Sequence, residues 1–362
     1  MIFLTDLRKQ RYPPGGRKQK KKLNESIWTK DSSTFIPLKN EGNINAYQKL
    51  DHLEGKSPYD IWSLLFTSEM IEMISFQTEL YAHRDRNDLS FFLSSSEIHQ
   101  FLGFLLFTGY HSLPSERDYW STQPDLNVPF IATEMSRSRY LKIKENFHLA
   151  DNQNLEPGFK IAKVKPIYDA FNQSLKRFGV LHNKLSIDES MIPYKGLHSI
   201  RQYMKSKPIK FGYKAWAICG EDGYPYHLQI YCGKSSEKLD FGLGGSVVVR
   251  LIDEMYKIGD EDIKNCEYFF DNFFSSHDLL SDLTGKEILA TGTIRENRTG
   301  GADKVLLSKK LLQKKDRGSY DFVCNESLFI TSWNDNSVCQ VISNCHQIDP
   351  IRNTQRSMKR KG

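Results

Sequence analysis

The sequence predicts an α/β protein, helical in its first half and built around a mixed sheet in its second. Apolar residues recur at helical spacing through residues 58–180, whereas short apolar runs separated by turns begin near residue 182. The order predicted there is β-β-β-α-β-α-β, which implies a mixed sheet covered by helices. A chain of 362 residues has room for about two domains.

Start signals accompany the predicted helices. Ser57 is followed by Pro58, a pair typical of an N-cap and a first helical position. Ser94 and Glu97 form a capping box ahead of a very apolar helix. Two further helices are predicted over residues 138–149 and 164–178, each with one apolar face.

The second half shows strand and helix patterns in turn. Strands are expected over residues 185–191, 213–219 and 224–232, with a turn at 221–223 joining the last two. A helix, a short buried strand, a helix and a strand follow over residues 243–257, 267–271, 274–283 and 288–293. The remaining chain is rich in lysine and then β-like over 320–330 and 338–342.

Positive charge is concentrated at the start of the chain. Residues 1–30 hold nine Lys and Arg against two acids, which gives +7, so the other 332 residues sum to −1 of the total of +6. We expect residues 1–45 to form a basic disordered tail, because Pro13-Pro14-Gly15-Gly16 breaks any helix. Such a tail suits a polyanion or a nuclear import signal, and hence a nuclear protein, and it is equally compatible with a solvated leader.

Several classes of protein are disfavoured. No apolar stretch suits a secretory signal, and the longest apolar run, residues 101–110, is short of the about 20 residues that a membrane span needs. The six cysteines form no Cys-x-x-Cys pair, so no zinc site is expected and the compartment is reducing. The sequence contains no Walker lysine motif, dinucleotide glycine fingerprint or nucleophile elbow.

Two aspartates are candidate catalytic residues and metal ligands. Asp188 lies in an apolar strand, where an acid is costly without compensation, and Asp271 ends another strand 83 residues later. The first and fourth strands of the predicted order are neighbours, so we expect the two carboxylates within about 8 Å of each other. Carboxylates suit Mg²⁺ or Mn²⁺, and two ions about 4 Å apart support phosphodiester cleavage. The alternative is that each acid only caps a turn.

A basic, aromatic segment follows Asp188. Residues 190–220 contain no acid and interleave cations with aromatic side chains, which suits a nucleic-acid backbone and exposed bases. The alternative is a solvated loop beside core aromatics. The candidate DNA-binding residues of this segment are Lys195, Arg201, Lys205, Lys207, Lys210 and Lys214. After the strand predicted at residues 288–293, Arg295 and Arg298 are further candidates for phosphate contacts.

Eight sequence blocks, taken together, resemble the piggyBac transposase-derived family. They include Ser-Ile-Asp-Glu-Ser-Met around Asp188 and Phe-Asp-Asn-Phe-Phe-Ser-Ser around Asp271. The blocks lie at residues 104–113 with 118–120, 138–149, 186–191, 210–214, 231–234, 270–276, 292–298 and 333–336. No single block identifies the family, but the occurrence of all eight blocks in the same order over residues 57–345 does.

The resemblance implies a helical dimerisation and DNA-binding domain, an RNase H-like catalytic domain and an insertion domain. We expect these at residues 46–181, 182–299 and 300–362, the last one partial and ending in a basic tail. The implied chemistry is cut-and-paste DNA transposition at an Asp-Asp-Asp site with Mg²⁺ or Mn²⁺, in which Asp188 and Asp271 match the first two acids. Arg295 and Arg298 match positions that contact target DNA, whereas Asp335 is not expected to bind metal. The implied partners are terminal-repeat DNA and a second copy of the chain, and no membrane is implied.

The third aspartate of the family pattern, within a Gly-Gly-Val-Asp segment, has no match in the 362 residues. Gly300-Gly301-Ala302-Asp303 is only a superficial match, because it does not follow the insertion domain, and the family's cysteine-rich zinc module has no match either. We therefore expect a transposase-derived DNA-binding protein that is defective in transposition. One alternative is an active metal-dependent transposase or endonuclease, if the third acid is substituted or the gene model is truncated. The other is a non-functional transposon remnant.

Overall fold

The computed structural model describes residues 26–39, 52–178, 181–205, 207–233, 239–258 and 261–351. The chain divides into two compact units. The larger unit is Asn40–Phe270, and the smaller unit is Met1–Lys39 with Asp271–Gly362. Most of the basic tail predicted at residues 1–45, and the basic end of the chain, lie outside the described residues. The predicted domain boundaries at residues 46, 182 and 300 stay predictions.

The larger unit begins with helices whose starts are set by local caps. They are α1 Pro58–Leu65, α2 Ser68–Asp85, α3 Ser95–Thr108, α4 Pro129–Glu134, α5 Arg137–Asn146 and α6 Lys165–Phe178. Ser57 caps α1 with Pro58 at its first position, and Ser94 and Glu97 form the predicted capping box of α3. Within the described part of the chain, no helix combines the length and apolarity that a membrane crossing requires.

The packing of α5 against α3 combines an aromatic core with a charged edge. In the core, the ring centroids of Phe104 and Tyr140 are 4.3 Å apart. At the edge, the Arg139 guanidinium donates a 2.5 Å hydrogen bond to Glu97 and holds the pKa of that carboxyl below its ordinary value, although burial opposes the shift. Because Glu97 also accepts from the Ser94 N–H, one side chain caps α3 and ties it to α5.

A mixed sheet follows the helices in the larger unit. Its strands are β1 Lys184–Pro193, β2 Arg201–Tyr203, β3 Phe211–Cys219, β4 Pro225–Ile230 and β5 Glu267–Phe270. Antiparallel pairing joins β3 to β1 on one side and to β2 and β4 on the other, and β5 is parallel to β1. This confirms the predicted mixed sheet. The sequence does not predict β2, because three residues are too few to show alternation.

One helix, α7 (Gly242–Tyr256), packs on β3 and β4 through the apolar stripe that the sequence predicts. Its stripe residues are each at most 1% exposed: Val247, Val248, Leu251, Ile252 and Met255. The helix α6 also contacts β4, where Tyr168 and Asn172 donate hydrogen bonds to the carbonyl oxygen of Leu228. Two helices therefore cover the outer strand of this sheet.

The smaller unit contains an antiparallel sheet and short helices. Its elements are α8 His277–Gly285, β6 Leu289–Thr293, α9 Lys309–Leu312, β7 Tyr320–Cys324, β8 Phe329–Asn334 and β9 Val338–Ser343. The strand order is β6-β9-β8-β7, with each pair antiparallel. The helix predicted to begin at residue 274 begins at His277 instead, because a turn follows Asp271 and the Ser276 side chain caps the helix.

Residues 26–39 pack within the smaller unit, although the sequence predicts a disordered tail through residue 45. Trp28 and Phe35 are 9% and 5% exposed, and the Trp28 indole donates to the carbonyl oxygen of Gly300 at 3.0 Å. Gly300 has a φ of +66°, and a Cβ there would lie 2.4 Å from the His277 ring, so the position requires glycine. The partners of this segment are distant in the sequence, and local composition does not reveal them.

An ion cluster links α6, α7 and β4. Glu254 accepts hydrogen bonds from Lys176 and Lys257, and its carboxylate lies 3.8 Å from Nδ1 of His227. Burial acts to raise the pKa of Glu254, but the two lysines outweigh it and bring that pKa to about 2. Burial lowers the pKa of His227 to about 4, because the imidazolium form would lose its hydration.

We expect stability to fall in acid in two steps. The pKa of His227 in the folded state lies below its ordinary value of 6.5, so stability is lost as the pH falls from about 6.5 through about 4. At about 1.4 kcal/mol per pKa unit, this step amounts to about 3 kcal/mol. The contribution of Glu254 is lost only below about pH 4.5, as the pH falls through about 2.

Urea denaturation at a series of pH values measures both steps. His227→Gln should remove the first step, because glutamine takes up no proton. His198→Gln, at an exposed histidine, is the matched control and should leave the pH profile unchanged. Persistence of the first step in the His227 variant would show that another group titrates there.

Candidate metal site and nucleic-acid interface

The strand β1 presents its two acidic residues on opposite faces of the sheet. Leu185 and Ile187 are buried on one face, whereas Asp188 is exposed on the other, because successive side chains of a strand alternate. Glu189 lies on the Ile187 face and is half-buried. The charge of Asp188 is thus compensated by solvent and by the Glu189 N–H, which donates to its Oδ1 at 2.7 Å.

The register between β1 and β5 determines which residues come directly after the paired positions of the two strands. Ile187 is the register partner of Phe270 in this parallel pair, and the next residue along the chain is an aspartate in both cases, Asp188 and Asp271. The two strands are therefore neighbours, as the sequence predicts. The separation of the two carboxylates stays a prediction.

Asp271 opens a turn that is held by several hydrogen bonds. Its Oδ1 accepts from the Phe273 N–H at 2.8 Å, and its carbonyl oxygen accepts from the N–H groups of Phe274 and Ser275. Asp271 thus does cap a turn, as the alternative interpretation expects, and it is also exposed. One hydrogen bond does not prevent metal binding, since a carboxylate offers about four lone-pair sites.

The two candidate arginines contact the same turn. Nη1 of Arg298 donates to the carbonyl oxygens of Asn272 at 3.2 Å and Phe273 at 2.9 Å, with a longer contact to that of Ser275 at 3.4 Å. Nε of the exposed Arg295 donates to Oδ1 of Asn272 at 2.8 Å. Both arginines therefore support the residues that follow Asp271, and their contact with DNA stays a prediction.

Three candidate cations of the basic segment are exposed: Lys195, Lys205 and Lys210. Among the described residues, none of the three forms an ion pair with a carboxylate. Arg201 has a different environment, because it donates to the carbonyl oxygens of residues 195 and 196 and lies 5.5 Å from the Phe211 ring centroid. The three lysines are therefore the available charges of this segment, and Arg201 holds the loop that carries Lys195.

The other two candidates, Lys207 and Lys214, are paired with Glu189 at 3.4 and 2.8 Å. Burial acts to raise the pKa of Glu189, but these lysines outweigh it and lower that pKa. Because Glu189 and Asp188 face opposite sides of the sheet, these lysines do not neutralise the candidate metal ligand. Sequence reasoning missed Glu189, although its place next to Asp188 in an alternating strand is the signal that identifies its face.

Comparisons with known proteins agree with this architecture. A family model described as Transposase IS4 matches residues 57–361. Human PiggyBac transposable element-derived protein 3 is 33% identical over 345 residues, which cover 94% of this chain and 56% of that protein. The chain belongs to the piggyBac transposase family. Human PiggyBac transposable element-derived protein 2 is 34% identical over 304 residues, 83% of this chain and 50% of that protein.

A solved structure shares the fold of this piggyBac family member. The cryo-EM structure of the piggyBac transposase synaptic complex with hairpin DNA matches with a TM-score of 0.69 at 20% identity, over 83% of this chain and 64% of that chain. The match confirms the predicted α/β fold with helices and a mixed sheet. The chain spans about half the length of the two curated relatives.

Asp188 and Asp271 fit a divalent cation in their donor chemistry. Transposases of the DDE type generally use divalent metal ions, and carboxylate oxygens are the ligands that hard divalent cations prefer. Both side chains are exposed, and neither forms an ion pair within the described ranges. The two carboxylates are thus available to a cation.

We expect Arg298 to contribute to stability more than Arg295 does. Arg298→Met should cost about 1–3 kcal/mol, because carbonyl oxygens of the turn after Asp271 lose a charged donor. Arg295→Met, which removes one exposed hydrogen bond, is the matched control and should stay within about 0.5 kcal/mol. Urea denaturation gives both values. Equal, small losses would show that the turn does not depend on Arg298.

Proposed function

We propose that this chain is a nuclear, transposase-derived DNA-binding protein that recognises transposon-end DNA as a homodimer. Family membership supports a DNA partner, and the solved structure that shares the fold is a piggyBac transposase synaptic complex with hairpin DNA. A nuclear location follows from that partner and from the basic start of the chain. The observation that carries the proposal is the group of exposed lysines without ion pairs, Lys195, Lys205 and Lys210.

Aromatic side chains beside these lysines also suit DNA. The rings of Tyr203 and Phe211 are 57% and 48% exposed, and their centroids are 4.8 Å apart. Exposed rings next to cations combine base stacking with phosphate contacts, which are the two elements of single-strand binding. Lysines already in water lose little hydration when they meet a phosphate, so they contribute mainly through the release of counterions.

We expect these lysines to set the salt dependence of DNA binding. The logarithm of the affinity should fall with the logarithm of the salt concentration by about 0.9 per phosphate neutralised. Replacing Lys195, Lys205 and Lys210 with alanine should therefore reduce the slope by about 2–3. Fluorescence anisotropy with duplex DNA at several salt concentrations measures it.

The matched control removes the same charge from exposed lysines elsewhere in the larger unit: Lys56, Lys163 and Lys264. Its slope should stay close to that of the parent chain. Equal slopes in the two triple variants would place the DNA surface elsewhere. An absence of DNA binding at low salt would favour the non-functional remnant.

We further propose that the 362-residue chain does not carry out efficient cut-and-paste transposition. Asp188 and Asp271 match two acids of the family pattern, and the third has no match in these residues. Metal-dependent DNA cleavage is the second candidate function, and the register of Ile187 with Phe270 favours it. In that case Asp188 and Asp271 would hold Mg²⁺ or Mn²⁺, and the ion would stabilise charge at the phosphodiester.

We expect at most feeble nicking and no strand transfer when the purified chain meets terminal-repeat DNA and Mg²⁺ or Mn²⁺. Mg²⁺ demands near-octahedral placement, so the loss of one carboxylate leaves the ion poorly positioned. An error of about 1 Å in position can cost about 100-fold in rate. Gel assays of excision and joining measure both steps.

DNA affinity separates this outcome from a general failure of the chain. Asp188→Ala should bind DNA as well as the parent chain does, because binding depends on the lysines. Robust excision by the parent chain that Asp188→Ala abolishes would contradict the defective-enzyme proposal. That result would establish the cleavage function with a substitute third ligand.

A further inference from the structure

The larger unit contains a cavity of about 790 Å³ between α6, β4 and α7. Small-molecule sites usually measure about 300–1,000 Å³. The sheet wall of the cavity faces away from Asp188, because Gln229 pairs with Trp216 and Trp216 pairs with Glu189. The cavity is therefore distinct from the candidate metal site.

Three buried polar atoms of residues in its wall have no hydrogen-bond partner among the described residues. They are Nε of Arg250, Oε1 of Gln229 and Nδ1 of His227. A buried polar atom without a partner loses its hydration and gains no hydrogen bond in return, so folded proteins keep few of them. Three such atoms around one cavity point to a ligand that offers an acceptor to Arg250 and a donor to Gln229.

The charges around the cavity favour an anion. Four cations and two carboxylates line it: Lys165, Lys176, Arg250, Lys257, Asp169 and Glu254. The three lysines are paired with the two carboxylates, whereas Arg250 forms no ion pair within the described ranges. A guanidinium without a carboxylate partner is the side chain best matched to a phosphate, because its fork of N–H donors fits the phosphate oxygens.

Aromatic rings form another part of the wall. Trp216 and Tyr231 are in an edge-to-face arrangement with centroids 6.1 Å apart, and Phe159 and Tyr168 also line the cavity. Trp216 is only 1% exposed, so the apolar surface that can meet a planar heterocycle belongs to the half-buried rings of Phe159, Tyr168 and Tyr231. The wall thus combines a site for an anion with a site for a ring.

We propose that this cavity binds a nucleotide, with its phosphate at Arg250 and its base beside Gln229 and Tyr231. Oε1 of Gln229 accepts a hydrogen bond from a donor on the base, either an exocyclic amino group or a ring N–H. The nucleotide is either a free mononucleotide or an unpaired nucleotide of a DNA strand. The inference goes beyond the proposed function, because Lys195, Lys205 and Lys210 do not line this cavity.

Isothermal titration calorimetry of the full chain tests the proposal with deoxyadenosine monophosphate and inorganic phosphate. We expect one saturable site for deoxyadenosine monophosphate, with at least tenfold weaker binding of inorganic phosphate. Arg250→Met should weaken nucleotide binding at least tenfold. Lys264→Met, at an exposed cation outside the cavity, should bind like the parent chain.

A second variant keeps the test decisive if Arg250→Met fails to fold. Gln229→Leu should weaken the binding of deoxyadenosine monophosphate, because the base loses its acceptor, while the binding of inorganic phosphate remains unchanged. Competition by a duplex with a single-stranded overhang identifies the strand as the source of the nucleotide, and its absence identifies the free nucleotide. No nucleotide binding, equal affinity for inorganic phosphate, or unchanged binding in the variants would overturn the proposal.

Discussion

The parallel pairing of β1 with β5 is the constraint on which the candidate metal site depends. It joins distant segments and puts the buried Ile187, 1% exposed, beside Phe270, 5% exposed. Bringing such segments together costs loop entropy, which the burial of apolar side chains on the sheet and on α7 offsets. The core residues thus set the register, and each aspartate follows its core residue by one position. A slip of β1 by one residue would turn Asp188 toward the buried face.

The alternation of β1 divides the chemistry of the larger unit between the faces of its sheet. Asp188 is alone among acids on its side of the strand, whereas Glu189, on the other side, attracts Lys207 and Lys214. Had these lysines paired with Asp188, they would have competed with a metal ion for its carboxylate. Because both lysines pair with Glu189, neither occupies the Asp188 carboxylate. Besides its ion pair with Glu189, Lys214 lies over the Trp216 ring.

Local signals in the sequence predict the parts of this protein that depend on local physics. The capping box of Ser94 and Glu97 and the apolar stripe of α7 are confirmed, because each is defined within about four turns of helix. The packing of Trp28 against Gly300 and the support of the Asp271 turn by Arg298 are not predictable in this way. They depend on residues that meet only after the chain has folded. The unpartnered Nε of Arg250 likewise becomes visible only when burial is known.

The two arginines of the smaller unit also look alike in the sequence but make different contacts in the folded chain. An arginine has five N–H donors, and Arg298 directs Nη1 at carbonyl oxygens of the turn after Asp271, so a phosphate would have to use its remaining donors. Arg295 is exposed and donates through Nε to the side chain of Asn272 at 2.8 Å rather than to a backbone oxygen. Arg295 is therefore better placed to take up a phosphate without disturbing the backbone. Arg298 instead holds the backbone of the turn that follows Asp271, so the two arginines, alike in the sequence, differ in what their loss would remove.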